Sequence, residues 1–120
     1  MPILIIGLPR AGKTTYSTRF ENVVHADEYP GLAVYDAMKN ASVCEGIFAT
    51  RQSRKLALEA WKGKERTVCV WLDTPLAVCL ARKGRSERVI QINAERFQPP
   101  TYAEGWDEII RITAEDTSAF

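Results

Sequence analysis

A chain of 120 residues, 46% hydrophobic and 26% charged, has the make-up of one soluble globular domain, with length for a real core but not for a second module. Its net charge of +1 excludes a global nucleic-acid footprint, so any contact with DNA or RNA must rest on a local patch. No stretch is long enough to cross a membrane, and the first apolar run lacks the basic flank of a secretion signal, so a single cytoplasmic domain over 1–120 is expected. Cys44, Cys69 and Cys79 are odd in number, show no metal spacing and sit in apolar settings. They read as small core hydrophobes in a reducing compartment.

In chain order, Ile3-Leu4-Ile5-Ile6 predicts a short buried parallel strand. Residues 7 to 14 then read Gly-Leu-Pro-Arg-Ala-Gly-Lys-Thr, a full match to G-x-x-x-x-G-K-[ST]. Each part has a physical role. Gly7 and Gly12 permit backbone angles and close approach that a side chain would block. Leu8, Pro9, Arg10 and Ala11 carry the loop whose N–H groups point at phosphates, aided by the dipole of the next helix. Lys13 reaches the β- and γ-phosphates, the Thr14 hydroxyl holds Mg²⁺, and Thr15 completes the loop. Tyr16 and Phe20, four apart, mark one face of the helix that follows. The strand, loop and helix context argues for a site that binds ATP with Mg²⁺.

Val23 to Ala26 predicts a second strand ending at Asp27-Glu28, and Pro30-Gly31 a turn. Leu32 to Lys39 allows little more than two helical turns. Ser42 to Cys44 is a third strand ending at Glu45-Gly46. A helix from about Ser53 to Lys62 is expected to bury Leu56, Ala60 and Trp61, with Gly63 stopping it. Thr67 to Leu72 is almost wholly apolar and predicts a central fourth strand. Thr74-Pro75 reads as a capping hydroxyl before a helix that carries Leu76, Cys79 and Leu80 toward Arg82. A further helix from about Ser86 to Phe97 is stopped by Pro99-Pro100, and Glu108 to Ile112 is a last strand. Strands alternating with helices predict an α/β, P-loop NTPase-type three-layer fold with a mostly parallel five-stranded sheet and a short basic lid.

Phosphoryl transfer needs a phosphate cradle, a metal, a group that takes the acceptor's proton, and cations for the developing charge. Asp27, ending the strand after the loop helix, is the candidate base, because ligands of open α/β sheets bind beyond the carboxyl ends of strands. The alternative is a turn aspartate before Pro30. Glu28 reads as solvated; Glu45 holds a metal-bound water or caps a loop. Arg82, Lys83, Arg85 and Arg88 are four cations within seven residues, broken by Gly84. They suit a mobile lid that closes over the phosphates, with Arg82 and Arg85 favoured, against the alternative of a solvated face. Arg51 and Arg54 either touch substrate or solvate a helix start. His25 reads as a strand residue. The three tryptophans read as core, although Trp106 and Tyr102 lie near the last loop and would be placed to flank a nucleobase. Motor ATPases are excluded, since only a dozen residues separate Thr14 from Asp27. GTPase switches are excluded by the absence of N-K-x-D and T-K-x-D.

These residues resemble the P-loop kinase domain of polynucleotide kinases and their small phage and bacterial relatives. The shared features are the loop from Gly7 to Thr15, the Asp after the second strand, and Arg51 with Arg54 opening the third helix. Further along come Leu72-Asp73-Thr74-Pro75, Arg82 with its basic lid, and a tail from Phe97 through Pro99-Pro100-Thr101 to Glu104-Gly105-Trp106. The resemblance implies that Asp27 is general base for a 5′-hydroxyl and that Arg85 assists transfer. Two departures stand out: Pro30 occupies a position where the family often has an arginine that holds the acceptor nucleotide, and the 32–40 segment is short. Related phage kinases act on hydroxymethylated DNA bases, which requires a flipped-out base. The expectation is an ATP-dependent phosphotransferase acting on a hydroxyl of a nucleic acid or nucleotide. The alternatives are a small-molecule or nucleoside kinase, or a non-catalytic ATP-binding module.

Overall fold

Residues 1–82 and 86–113 are described in a computed structural model of the chain. The first strand, β1 (Ile3–Ile6), has both flanks occupied, with β3 (Val43–Gly46) on one side and β4 (Val68–Leu72) on the other, and every pairing is parallel. β2 (Val24–His25) adds outside β3 and β5 (Glu108–Ile112) outside β4, giving the order β2-β3-β1-β4-β5. The α/β class and the five strands therefore stand as expected, and the sheet is parallel at each of its four pairings. β4 is one of the inner strands, in keeping with its apolar sequence.

Side chains alternate across the sheet as the two-residue period of a strand demands. Leu4, Ile6, Cys44 and Cys69 face one layer, where α2 (Ala33–Met38) and α3 (Arg51–Ala60) contribute Val34, Met38 and Ala57, and Trp61 follows α3. Ile5, Val43, Val68, Val70 and Leu72 face the other. There α1 (Lys13–Ser17), α4 (Leu76–Ala81) and α5 (Glu87–Arg96) supply Tyr16, Cys79 and Ile90. This is the three-layer arrangement. The three thiols are buried, and burial pushes those of Cys44 and Cys69 up to about 12, so they stay protonated core groups.

Several boundaries differ from the sequence reading, each for a local reason. α1 ends at Ser17 and does not reach Phe20 as a regular helix, because the Ser17 and Thr18 hydroxyls donate back to the Thr14 and Thr15 carbonyls at 2.7 and 2.6 Å. β2 is two residues long, and Ala26–Glu28 forms one 3₁₀ turn. Conversely, Glu45 and Gly46 belong to β3. α3 starts earlier than expected, with the Thr50 hydroxyl accepting from the Ser53 N–H. Its inward positions are Arg54 and Ala57, while Leu56 and Ala60 are only half-buried. Thr74 does not cap α4; its hydroxyl points elsewhere, as described below.

Candidate active site

The order of the sheet reverses at β1: the chain leaves it toward β3 and β2, then returns across it to β4 and β5. A crevice opens at the carboxyl end of such a strand, and the 7–14 loop fills that position. Gly7 is required by close approach. A Cβ there would lie 3.0 Å from the Leu72 carbonyl and 3.1 Å from the Ala11 Cβ. Gly12 is required by its backbone, at φ +106°.

Four carbonyls of the loop accept from side-chain donors. The Lys13 ammonium, nearly buried, donates to the Gly7 and Leu8 oxygens at 3.0 and 2.7 Å. The buried Thr74 hydroxyl, arriving from the end of β4, donates to the Ala11 oxygen at 2.7 Å. Arg82, at the end of α4, donates from Nη1 to the Arg10 oxygen at 2.6 Å. With the carbonyls engaged, the opening N–H groups of α1 (Lys13, Thr14, Thr15), which no helix can pair internally, are the loop's outward donors. α1 is only five residues long, so these local N–H groups and the cations outweigh any macrodipole.

Two cavities meet at the loop. One, of about 380 Å³, is lined by Pro9, Arg10, Lys13 and Thr14 on one side and by Ala26, Asp27, Glu45, Gly46 and Ile47 on the other. The second, of about 280 Å³, is lined by Arg10, Gly12, Lys13, Thr14, Thr15 and Arg82, three cations and no carboxylate. The sequence-predicted residues thus gather at one place. Pro9, Arg10, Gly12, Lys13, Thr14, Thr15, Asp27 and Arg82 line these cavities. Gly7, Leu8 and Ala11 instead supply backbone to the loop's framework. Arg85 and Lys83, the middle of the expected lid, lie outside the described residues. Arg88 is exposed on α5.

Asp27 reaches the first cavity because the 3₁₀ turn swings it off the end of β2. Ala26 and Phe48 pack so closely on Gly46 that a Cβ there would lie 2.7 Å from the Ala26 Cβ and 2.6 Å from the Phe48 ring. Glu45 neither caps a loop nor stands free. It is 5% exposed and its Oε1 meets His25 Nδ1 at 3.0 Å, a pairing fixed by the β2–β3 register. His25 is therefore more than a strand residue: it orients a carboxylate that lines the cavity.

Four residues with open readings find their places: Arg54 and Arg51 line neither loop cavity, Trp106 is core as first read, and Tyr102 lies at the surface. Arg54 touches no cavity of the loop. It is fully buried, and its guanidinium donates to both Glu104 oxygens (2.7 and 3.1 Å) and to the Phe48 and Gln98 carbonyls (2.8 and 2.7 Å). Arg51 is exposed, with its backbone N–H donating to the Gln98 side chain. Trp106 is 3% exposed in the core, its indole N–H donating to Glu104, so it flanks no nucleobase. Tyr102 is exposed, and its hydroxyl accepts from the Ile109 N–H. The tail that marked the resemblance is thus a clamp for Arg54. Thr101 reinforces it, its N–H and hydroxyl both donating to Glu104. Burial disfavours the Glu104 charge, but the hydrogen bonds from Arg54 and Thr101 outweigh it and hold the carboxyl below its ordinary range.

Sequence reasoning missed the role of Thr74. A signal for it existed: a residue just past β4 must sit beside the loop that follows β1 if the two strands are neighbours.

No protein-family model matches the chain, and no curated protein matches it. Among solved structures, a gluconokinase from Sinorhizobium meliloti 1021 superposes with a TM-score of 0.71, covering 98% of this chain and 89% of that one at 14% sequence identity. A likeness at that identity speaks for the fold. It supports a P-loop kinase domain without singling out the polynucleotide kinases, and the sheet order, the loop and the neighbour agree that this chain has the P-loop kinase fold.

Proposed function

We propose that this chain is an ATP-dependent kinase that transfers the γ-phosphoryl group to an acceptor hydroxyl, with Asp27 as the base. The observation that carries the reading is that Asp27 and the Lys13–Thr14 pair line one cavity of about 380 Å³. A carboxylate there is within the same enclosure as the phosphates and takes the hydroxyl proton as the oxygen attacks. Lys13 and Arg82 counter the phosphate charge. No cluster of three acidic, histidine or cysteine ligands occurs among the described residues, which fits Mg²⁺ carried chiefly by nucleotide phosphates and water, with the Thr14 hydroxyl as the protein's ligand. When bound, the ion neutralises phosphate charge; the proton transfer is the work of Asp27.

Two acceptor classes have support. The resemblance to polynucleotide kinases favours a hydroxyl on a nucleic acid or nucleotide. A further cavity of about 280 Å³ favours a small acceptor. It adjoins the first through Ala26 and Ile47, and its lining includes Tyr35, Phe48, Thr50, Ser53 and a single cation, Arg96. The gluconokinase likeness points to that second class. The test is γ-labelled ATP with a panel of single- and double-stranded 5′-hydroxyl oligonucleotides, hydroxymethylated DNA, nucleosides, and sugars with their acids. Label on an oligonucleotide selects the first class, and label on a sugar or sugar acid the second. Tight ATP binding with label on nothing, even at high enzyme concentration, refutes the kinase and leaves a binding module.

A further inference from the structure

Arg10 combines three features that no other residue of the loop combines. Its backbone sits at φ +70°, the left-handed region that a residue with a Cβ rarely adopts. With Lys13 and Thr14 it lines both loop cavities, the one with Asp27 and Glu45 and the one with Thr15 and Arg82. Its Nη1 is buried without a hydrogen-bond partner, the single such side-chain atom among the described residues. Arg82 grips the Arg10 carbonyl, so the strained backbone is held in place by a second arginine. Strain and an unmet buried donor at one residue are both unfavourable to folding, and such combinations persist where the site needs them.

We propose that the Arg10 guanidinium binds the phosphoryl group during transfer, as an arginine built into the phosphate loop itself. The inference rests on the kinase reading above. In that step the bond from the γ-phosphorus to the bridging oxygen breaks, with its electron pair remaining on ADP. A bond from the acceptor oxygen to phosphorus forms, and the hydroxyl proton passes to the Asp27 carboxylate. Charge spreads over the equatorial oxygens while the phosphoryl group moves from the donor side to the acceptor side. A planar, multi-donor cation on a residue that lines both cavities is suited to follow it, and Nη1, unpaired within the fold, is a donor that a phosphoryl oxygen would satisfy once the guanidinium turns toward it. Because it belongs to the loop, Arg10 does not depend on lid closure to be in position.

The test uses three variants of the full chain, Arg10→Gly, Arg10→Ala and Arg10→Lys. Turnover is measured with the best acceptor from the panel, binding with Mg²⁺ and a non-hydrolysable ATP analogue, and melting by calorimetry. Glycine suits φ +70° and removes the unmet donor, so Arg10→Gly should melt at a higher temperature than wild type. It should also lose about 10³ in kcat, within the range an arginine contributes to phosphoryl transfer. Analogue affinity should change by no more than about threefold in each variant, lysine should recover only part of the rate, and millimolar guanidinium should raise the rate of Arg10→Ala. A structural role would give the opposite pairing, with lower melting and unchanged kcat in the melted-corrected fraction, and would overturn the proposal. So would an affinity loss equal to the kcat loss, which would make Arg10 a ground-state binder. If wild type transfers phosphate and Arg10→Gly does so equally well, only Arg10 is misassigned. If wild type binds the analogue and transfers to nothing, the kinase reading falls and takes this inference with it.

Discussion

Two arginines in the same small domain, Arg54 fully buried and Arg10 half-buried, have opposite surroundings. Arg54 sits among the α3, Gln98 and Glu104 groups with two carboxylate oxygens and two carbonyls as close partners. Arg10 sits in the phosphate loop with one nitrogen buried and unpaired. The sequence left Arg54 between substrate contact and helix solvation, and took Arg10 as one loop position among nine. Arg54 does neither, because it is fully buried. An arginine with each of its three guanidinium nitrogens engaged inside the fold has little left to offer a ligand, whereas one held in strain with a nitrogen unpaired has a donor to spare. The clamp around Arg54 is a stability device, and the loop around Arg10 and Lys13 is, in the function proposed above, a binding device.

The sharpest way to break that division is to damage the clamp and look for an effect on chemistry. Glu104→Ala leaves a buried guanidinium without its carboxylate, a change that typically costs about 3–5 kcal/mol. Chemical denaturation should show that loss, while the folded fraction keeps normal affinity for ATP. A double change, Arg54→Met with Glu104→Leu, should recover part of the stability but not all, since the Phe48 and Gln98 carbonyls lose their donor. A folded Glu104→Ala protein with defective nucleotide binding would show that the two regions are not separable.

The complementary experiment strikes the cavity. Asp27→Asn keeps size and most hydrogen bonding but takes no proton at neutral pH. It should lose about 10²–10⁴ in transfer rate with near-normal ATP binding and melting. Because Asp27 is exposed at the cavity wall, little stability is at stake. Near-normal activity would reduce Asp27 to a turn residue and pass the base role to Glu28 or Glu45.

Thr74 tests the seam between the regions, since a core residue of β4's end holds the binding loop. Thr74→Val is close in shape but leaves the Ala11 carbonyl without its hydroxyl donor, at a cost of about 1–3 kcal/mol. Melting should fall, and ATP affinity should fall with it because the loop relaxes. Unchanged affinity would mean that Lys13 and Arg82 alone suffice to hold the loop.

Acid gives the gentlest separation. The Glu104 pKa is lowered on folding, so the folded state holds the proton less tightly than the unfolded chain does. Its stabilisation is complete above the unfolded value of about 4.5 and is lost as pH falls through the lower folded value. Asp107, which accepts from the Thr67 N–H and hydroxyl, is lowered likewise and adds to the same acid limb. Wild type should therefore lose stability below pH 4.5 more steeply than Glu104→Gln, as read from melting temperatures across that range.

What the sequence determined was local. The run from Ile3 to Thr14 specifies strand, loop and helix start because its glycines, its lysine and its apolar run act over neighbouring residues, and the alternation of strands with helices sufficed for a parallel sheet. The carboxylate of Asp27 followed from its place at a strand end. What the tertiary structure decided was which long-range partner each polar side chain would find. Arg54 meets Glu104 across 50 residues and Thr74 meets Ala11 across 63, separations at which no periodicity or motif speaks. The same holds for Trp106, whose ring reads first as core in one dimension but lies near enough to the last loop to suit a nucleobase. Only the packing of α3 against the tail makes it core, because a fully buried arginine there needs a carboxylate, and the carboxylate draws the indole in with it.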